Sequence, residues 1–90
     1  MLFMYIHTHT PDVCIAGQPQ EQMKTMGPVR EAFQKAGIKV VGAYSAPPEH
    51  TMFYVLEADD IVAFHRAMTP WTRWGTSRLI PVEKLDYMLS

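Results

Sequence analysis

The order of apolar periodicities along this chain constrains its fold more than any other feature, because it predicts strand, helix, hairpin, helix and strand in succession. Alternating, β-branched and aromatic residues indicate the strands, whereas helical spacing of apolar residues indicates the helices. This order is that of a ferredoxin-like βαββαβ domain of the α+β class, with a four-stranded antiparallel sheet and both helices on one face. The predicted segments are a strand Leu2 to His9, a helix Gln20 to Ala36, strands Ile38 to Ser45 and Thr51 to Ala58, a helix Ile61 to Met68, and a strand Arg78 to Val82.

Local signals mark the ends of these segments. Pro11 to Pro19 is a predicted loop, because its prolines interrupt any regular pattern. Gly27-Pro28 is expected to kink the first helix or to divide it in two. The pair Asp59-Asp60 stands where the N-cap of the second helix belongs. The tail Glu83 to Ser90 fits either a short helix or an extended arm.

Size and charge exclude several classes of protein. The 90 residues, 48% of them hydrophobic, predict one domain spanning residues 1–90. The eight Lys and Arg residues are scattered and leave a net charge of -1, which argues against a nucleic-acid partner. The apolar N-terminal stretch is far shorter than the ~20 residues of a membrane span and lacks a leader's basic segment. With one cysteine and thus no intrachain disulfide, we expect a soluble cytoplasmic protein with no membrane partner.

Large apolar side chains occupy both faces of the predicted strands. Phe3 and Tyr5 alternate with Met4 and Ile6 in the first strand, and the third strand shows the same pattern. Because two helices cover only one face, the other face would expose an apolar patch larger than a soluble monomer tolerates. We therefore expect a homodimer in which the helix-free faces of two sheets pack together.

Three segments resemble the dimeric α/β-barrel superfamily of small ferredoxin-like proteins. They are Val40-Val41-Gly42-Ala43-Tyr44, the strand Phe53 to Ala58 with Asp59-Asp60, and the helix carrying Phe64-His65. The resemblance covers most of the chain and implies a homodimeric barrel. It implies no single activity, because the superfamily includes cofactor-independent monooxygenases, haem-degrading enzymes, isomerases and metal-binding proteins.

The last third of the chain is similar to uncharacterised members of that superfamily. The similar stretches are Pro70-Trp71, Trp74-Gly75-Thr76 and Ile80-Pro81-Val82. The chain is more loosely similar to a small nickel-binding family in the same superfamily. That likeness implies that His65 corresponds to a histidine of the nickel-binding relatives.

His7 and His9 lie two residues apart at the end of the first predicted strand, so both imidazoles project from the same face. Their α-carbons would be roughly 6.6 Å apart at ~3.3 Å per residue, which allows both rings to bind one ion. We expect the pair at the mouth of the dimer cavity, as metal ligands or proton carriers. The alternative is two polar residues hydrogen-bonded to the following loop. Because ligation requires neutral imidazole, metal affinity should fall as the pH drops through about 6.5.

Cys14, His50 and His65 are candidate further ligands. Cys14 follows a proline turn, but a lone cysteine also serves as a small buried apolar residue. His50 lies at the end of the hairpin, where loop polarity also explains it. His65 borders the apolar stripe of the second helix, on the far side of the sheet from the dimer cavity, and is interpreted as a hydrogen-bonded boundary residue. Imidazole and thiolate together favour a divalent transition metal, nickel or zinc first.

Five aromatic residues are candidates for lining a small-molecule site, with structural packing as the alternative role for each. The phenols of three tyrosines could line a cavity, and two tryptophans near a proline turn could cap one. No glycine pattern for binding phosphate is found, so no nucleotide cofactor is expected. The five aromatic candidates are Tyr5, Tyr44, Tyr54, Trp71 and Trp74.

Three functional hypotheses follow from these residues. The first is a homodimer that binds nickel or zinc through His7 and His9. The second is a cofactor-independent monooxygenase or isomerase that holds a small hydrophobic molecule in the barrel cavity, with one of these histidines as general base. The third is a non-catalytic interaction module in which the histidines have no chemical role.

Overall fold

The described part of the chain forms a four-stranded antiparallel sheet with two helices packed on one face. The computed structural model describes residues 1–89, with every side chain in that range except those of Pro70, Trp71 and Arg73. The strand order β2-β3-β1-β4 confirms the predicted ferredoxin-like α+β fold. The elements are β1 (Leu2–Thr8), α1 (Pro19–Lys35), β2 (Lys39–Ala46), β3 (Thr51–Glu57), α2 (Ile61–Met68) and β4 (Thr76–Val82).

Helix α1 is continuous, although Pro28 lies inside it. The predicted division at Gly27-Pro28 is therefore wrong. Pro28 is exposed, so water can hydrogen-bond the carbonyl that its missing N–H leaves unpaired. No helix within residues 1–89 has the length and apolar character needed to cross a membrane.

Short 3-10 turns replace several predicted loops. One turn, Pro11–Val13, follows β1, and a second, Pro47–Glu49, forms the tip of the β2–β3 hairpin. A third, Thr69–Trp74, connects α2 to β4. The tail contains a single turn, Asp86–Met88, which agrees with the short-helix alternative, whereas Ser90 lies outside the described residues.

The hydrophobic core lies between the sheet and the two helices. The Tyr5 ring meets the Phe64 ring edge to face at a centroid distance of 5.3 Å, and the Phe33 ring lies 5.8 Å from that of Phe64. These three aromatic residues join β1, α1 and α2. The other buried members of the core are Phe3, Val29, Ile38, Leu56 and Ala58.

The start of α2 is defined by the predicted aspartate cap. The Asp60 carboxylate accepts hydrogen bonds from the backbone N–H groups of Val62 at 2.9 Å and Ala63 at 3.3 Å. Such a cap satisfies N–H groups that have no partner within the helix. The cap fixes the start of α2 at Ile61. With this start, Phe64 faces the hydrophobic core.

The helix-free face of the sheet carries apolar side chains, as the strand pattern predicted. Cross-strand pairs place Met4 beside Val55 and Ile6 beside Phe53 on this face. Tyr44 pairs with Phe53 from the neighbouring strand and is 69% exposed. That a second copy of the chain covers this face stays a prediction.

Candidate metal centre and adjoining cavity

Three segments of the chain bring His9, Cys14 and His50 together at one end of the sheet. One donor atom from each residue lies within 4.8 Å of the other two. His9 directly follows β1, Cys14 ends the turn Pro11–Val13, and His50 directly precedes β3. We use the name metal centre for these three residues as a candidate site, because they form a compact group of His and Cys donors among the described residues.

Backbone hydrogen bonds hold the metal centre in place. The His9 N–H donates to the His50 carbonyl at 3.0 Å, which ties the two histidines together. The His50 N–H donates to the Pro47 carbonyl at 3.0 Å, and the Cys14 N–H donates to the Pro11 carbonyl at 3.2 Å. The Thr51 hydroxyl, next to His50, also donates to the Glu49 carbonyl at 2.8 Å. The site is therefore positioned by hydrogen bonds at the ends of strands and turns.

His50 adopts a left-handed backbone conformation, with φ of 49° and ψ of 40°. This region is uncommon for residues other than glycine, although histidine is enriched there. Both backbone hydrogen bonds of His50 run within the hairpin tip or to His9, and they stabilise this conformation. The reversal brings the imidazole of His50 next to that of His9, at a ring-centroid distance of 5.6 Å.

The two histidines of the metal centre have buried ring nitrogens without a hydrogen-bond partner. Among the side chains that the structure describes, no donor or acceptor reaches Nε2 of His9 or Nδ1 of His50. A buried polar atom without a partner is destabilising and requires a physical explanation, such as an ion. Burial lowers the pKa of His9, and neighbouring His50 lowers it further, which favours the neutral ring that metal ligation requires.

The spacing of the donor atoms suits a small tetrahedral ion after a modest adjustment. Zinc bonds of about 2.0–2.3 Å to nitrogen and sulfur separate tetrahedral donors by roughly 3.3–3.6 Å. The donor atoms lie within 4.8 Å of one another, so binding such an ion would require the imidazole rings and the Cys14 side chain to rotate closer together. Three protein ligands leave the fourth position of a tetrahedral ion open to water or another molecule.

His7 lies beside the metal centre but is not one of its members. Its ring is 5.7 Å from that of His9 with an interplanar angle of 30°, so both imidazoles share one face as predicted. Burial lowers the pKa of His7, and His9 adds to the shift. His7 also lies 6.4 Å from the buried ring of Tyr5, which extends the aromatic row along the strand.

The expected position of the histidine pair at the rim of a cavity between two sheets is wrong. His7 shares its face of β1 with Tyr5, which is 4% exposed and packs against Phe64 of α2. The strand alternation correctly predicts that His7 and His9 share one face, but that face is the helix-covered side of the sheet. The physical reason is that Phe3 and Tyr5, the largest side chains of this face, pack beneath the helices.

His65 is not brought to the metal centre. It is exposed on α2, and its ring lies 6.2 Å from that of Phe64. Its carbonyl accepts a hydrogen bond from the Thr69 hydroxyl at 2.9 Å. His65 is therefore an exposed helix residue, and hydrogen bonding of its imidazole stays a prediction.

A cavity of about 60 Å³ lies between the sheet and α1, next to the metal centre. Three of the predicted aromatic residues line it: Tyr5, Tyr54 and Trp74. Tyr44 does not, because β2 directs it to the helix-free face, and the side chain of Trp71 lies outside the described residues. Burial raises the pKa of both Tyr5 and Tyr54, so both phenols stay protonated in this apolar surrounding.

Gly75 allows β4 to start against the end of β1. A Cβ at this position would collide with the Thr8 carbonyl oxygen and would lie 3.1 Å from Cε1 of His7. Only glycine permits so close an approach of two backbones. Gly75 therefore fixes the wall of the site next to His7.

Sequence reasoning missed the residues that connect the cavity to the metal centre. Ile15, Met26 and Met52 line both the cavity and the wider pocket of about 270 Å³ that contains Cys14 and His50. For Met52 a signal was present, because it lies two residues before Tyr54 on one strand and so shares its face. Ile15 and Met26 come from the loop and α1, whose approach depends on the tertiary fold.

Comparison with known proteins identifies the family of this chain but assigns no activity to it. No curated protein matches the sequence significantly. Residues 1–88 match a family described as a domain of unknown function, DUF3303. This match spans nearly the whole chain, and the protein therefore belongs to the DUF3303 family.

Proposed function

We propose that this protein binds one divalent transition metal ion through His9, Cys14 and His50, with zinc and nickel favoured. The observation that carries this proposal is the convergence of three donor atoms from three separate segments within 4.8 Å. Two imidazoles and one thiolate form a ligand set that suits zinc and nickel better than magnesium or calcium, which prefer oxygen. The buried, unpaired nitrogens of the two histidines provide independent support.

The open fourth position indicates an exchangeable site rather than a purely structural one. Structural zinc sites are closed by four protein ligands, whereas catalytic zinc sites keep a position for water or substrate. Here no further His, Cys, Asp or Glu joins the group within the described residues. An ion at this place is therefore able to bind a small ligand directly.

Metal titration of the untagged full-length chain tests the proposal. We expect one cobalt or zinc ion per chain, with a near-ultraviolet sulfur-to-cobalt absorption that disappears in Cys14→Ser. His9→Ala and His50→Ala should weaken binding by at least about 100-fold, which exceeds the usual effect of residues outside the ligand shell. His65→Ala is the matched control, because this exposed histidine lies outside the group.

His7→Ala separates this proposal from a site built on the His7–His9 pair. If the three-segment centre is correct, His7→Ala keeps the stoichiometry and the cobalt absorption. A loss as large as that of Cys14→Ser would instead make the strand pair the ligand set. Wild-type protein that binds no cobalt or zinc would overturn the metal centre itself.

A second candidate function is an enzyme that acts on a small hydrophobic molecule without a cofactor. The apolar cavity next to His7 supports it, because a neutral imidazole beside bound substrate can act as a general base. A metal-free protein that binds small hydrophobic molecules in this cavity would favour this candidate over the first.

A further inference from the structure

We propose that the cavity beside the metal centre binds a small monoanion with an apolar body, such as a short branched carboxylate, whose charged group occupies the open metal position. This inference rests on the proposed metal site and adds the chemical class of its ligand. It derives from three properties of the described residues: the continuity of the two pockets, their charge and their size.

The cavity and the metal centre are continuous through shared walls. His9 belongs to the metal centre and also lines the cavity, and Ile15, Met26 and Met52 border both spaces. A ligand bound to the ion can therefore extend its remaining atoms between the sheet and α1. There it would contact Val29, Phe33 and other apolar side chains of the cavity wall.

Charge balance favours an anion. A divalent cation with one thiolate and two neutral imidazoles carries a net charge of +1. Among the described residues, no Lys, Arg, Asp or Glu lines either space, so no side chain there neutralises that charge. An uncompensated charge at the edge of a mainly apolar cavity is unfavourable, and a monoanionic ligand removes it. A dianion would instead leave the site with a net negative charge.

Size limits the apolar body to a few carbon atoms. The cavity of about 60 Å³ holds less than the ~150 Å³ cavity known to admit benzene. Three of its lining residues are methionines, whose flexible side chains can adjust to an irregular group. A branched chain of about four carbons beyond the carboxylate therefore fits better than an aromatic ring. The methionines are Met26, Met52 and Met68.

The test measures ligand binding to the cobalt-loaded full-length protein by its visible absorption. Isovalerate is the probe, acetate shares its charged group without the apolar body, and isovaleramide shares the body without the charge. We expect isovalerate to bind about tenfold more tightly than acetate, because it buries additional methyl and methylene groups. Isovaleramide should not change the spectrum.

Two substitutions place the ligand in the cavity. Val13→Phe enlarges a 42% exposed side chain at the cavity wall and should weaken isovalerate at least tenfold while acetate binding stays unchanged. Val62→Phe is the matched control, because Val62 is 49% exposed on α2 and does not line the cavity. Retention of the cobalt absorption shows that each variant remains folded at the site.

Each outcome has one meaning. Equal affinity for isovalerate and acetate, or equal loss of both in Val13→Phe, would overturn the apolar ligand site and leave the metal centre intact. Binding of isovaleramide as tight as that of isovalerate would overturn the charge argument. Absence of any cobalt absorption would overturn the proposed metal function, and the ligand site with it.

Discussion

The two ends of β1 present the same face of one strand to different surroundings. At the first end, Phe3 and Tyr5 are only 5% and 4% exposed, and both belong to the hydrophobic core. At the other end, His7 and His9 line a cavity, and His9 belongs to the candidate metal centre. The strand alternation places all four on one side, but the elements that cover them differ. A packed aromatic cluster produces a core, whereas loops and turns leave room for a site.

The two ends of β1 also differ in what they contribute to stability. The core end combines apolar burial with aromatic contacts between three elements, so it should carry most of the stability. The site end contains unpaired buried nitrogens and open volume, which contribute little to stability or reduce it. Substitutions at the two ends should therefore separate stability from binding.

The largest expected effect is at the core end. Phe64→Ala removes the ring that contacts both Tyr5 and Phe33, and we expect a loss of about 3–5 kcal/mol in the free energy of unfolding. Urea denaturation measures this loss. Val62→Ala on the same helix is the control and should change stability by less than about 0.5 kcal/mol, because Val62 is exposed. Similar effects of the two substitutions would contradict the assignment of the core.

A smaller effect is expected at the border between the two ends. Gly75→Ala places a Cβ against the Thr8 carbonyl and forces β4 away from β1, at an expected cost of about 1–3 kcal/mol. Gly27→Ala is the control. Gly27 lies in α1, and outside its chain neighbours and the helix backbone no atom lies within 4 Å of the added Cβ, so alanine should cost less stability than Gly75→Ala. If both variants lost stability equally in thermal denaturation, the close approach at Gly75 would not explain the effect.

The smallest effect at neutral pH is expected for Tyr54→Phe in the cavity. Among the described residues, the Tyr54 hydroxyl donates to the Met52 sulfur, at 3.4 Å, and to no other atom, so its removal should change stability by less than about 1 kcal/mol at pH 7. The effect should grow at alkaline pH. Burial raises the pKa of Tyr54 above its ordinary value of 10.0, so the folded protein keeps this proton longer than the unfolded chain does.

The sign of the alkaline effect follows from this difference in pKa. The stability linked to the Tyr54 proton is present below pH 10 and is lost as the pH rises through the folded-state pKa. Tyr54→Phe should therefore reduce the loss of stability above pH 10, as measured by urea denaturation at several pH values. Tyr44→Phe is the control, because Tyr44 is 69% exposed outside the cavity. An equal benefit from both variants would show that burial of Tyr54 is not the cause.

The sequence was informative about the fold because the strand and helix patterns are local. Alternation along residues 2–8 and helical spacing along residues 61–68 each predict an element from neighbouring side chains alone. The cap at Asp60 was also legible, since capping involves residues only two and three positions away. By contrast, the continuity of α1 through Pro28 depended on which side of the helix faces solvent.

The candidate site was predictable only in part. His9, Cys14 and His50 were all identified as candidate ligands by residue type, but spacing favoured the pair His7–His9 as its basis. The structure instead groups His9 with Cys14 and His50. His50 lies 41 positions after His9 in the sequence, and the two meet because the His9 N–H donates to the His50 carbonyl. Such a contact depends on strand register, which a single sequence does not reveal.

By itself, the sequence determined the order of elements, the shared face of Tyr5, His7 and His9, and the residue types able to bind a transition metal. These properties follow from periodicity and side-chain chemistry, which act over a few residues. Only the tertiary structure decided which face the helices cover and which ligands meet. Both depend on packing and strand pairing between residues distant in sequence, and that packing placed the histidines beneath the helices rather than on the open face of the sheet.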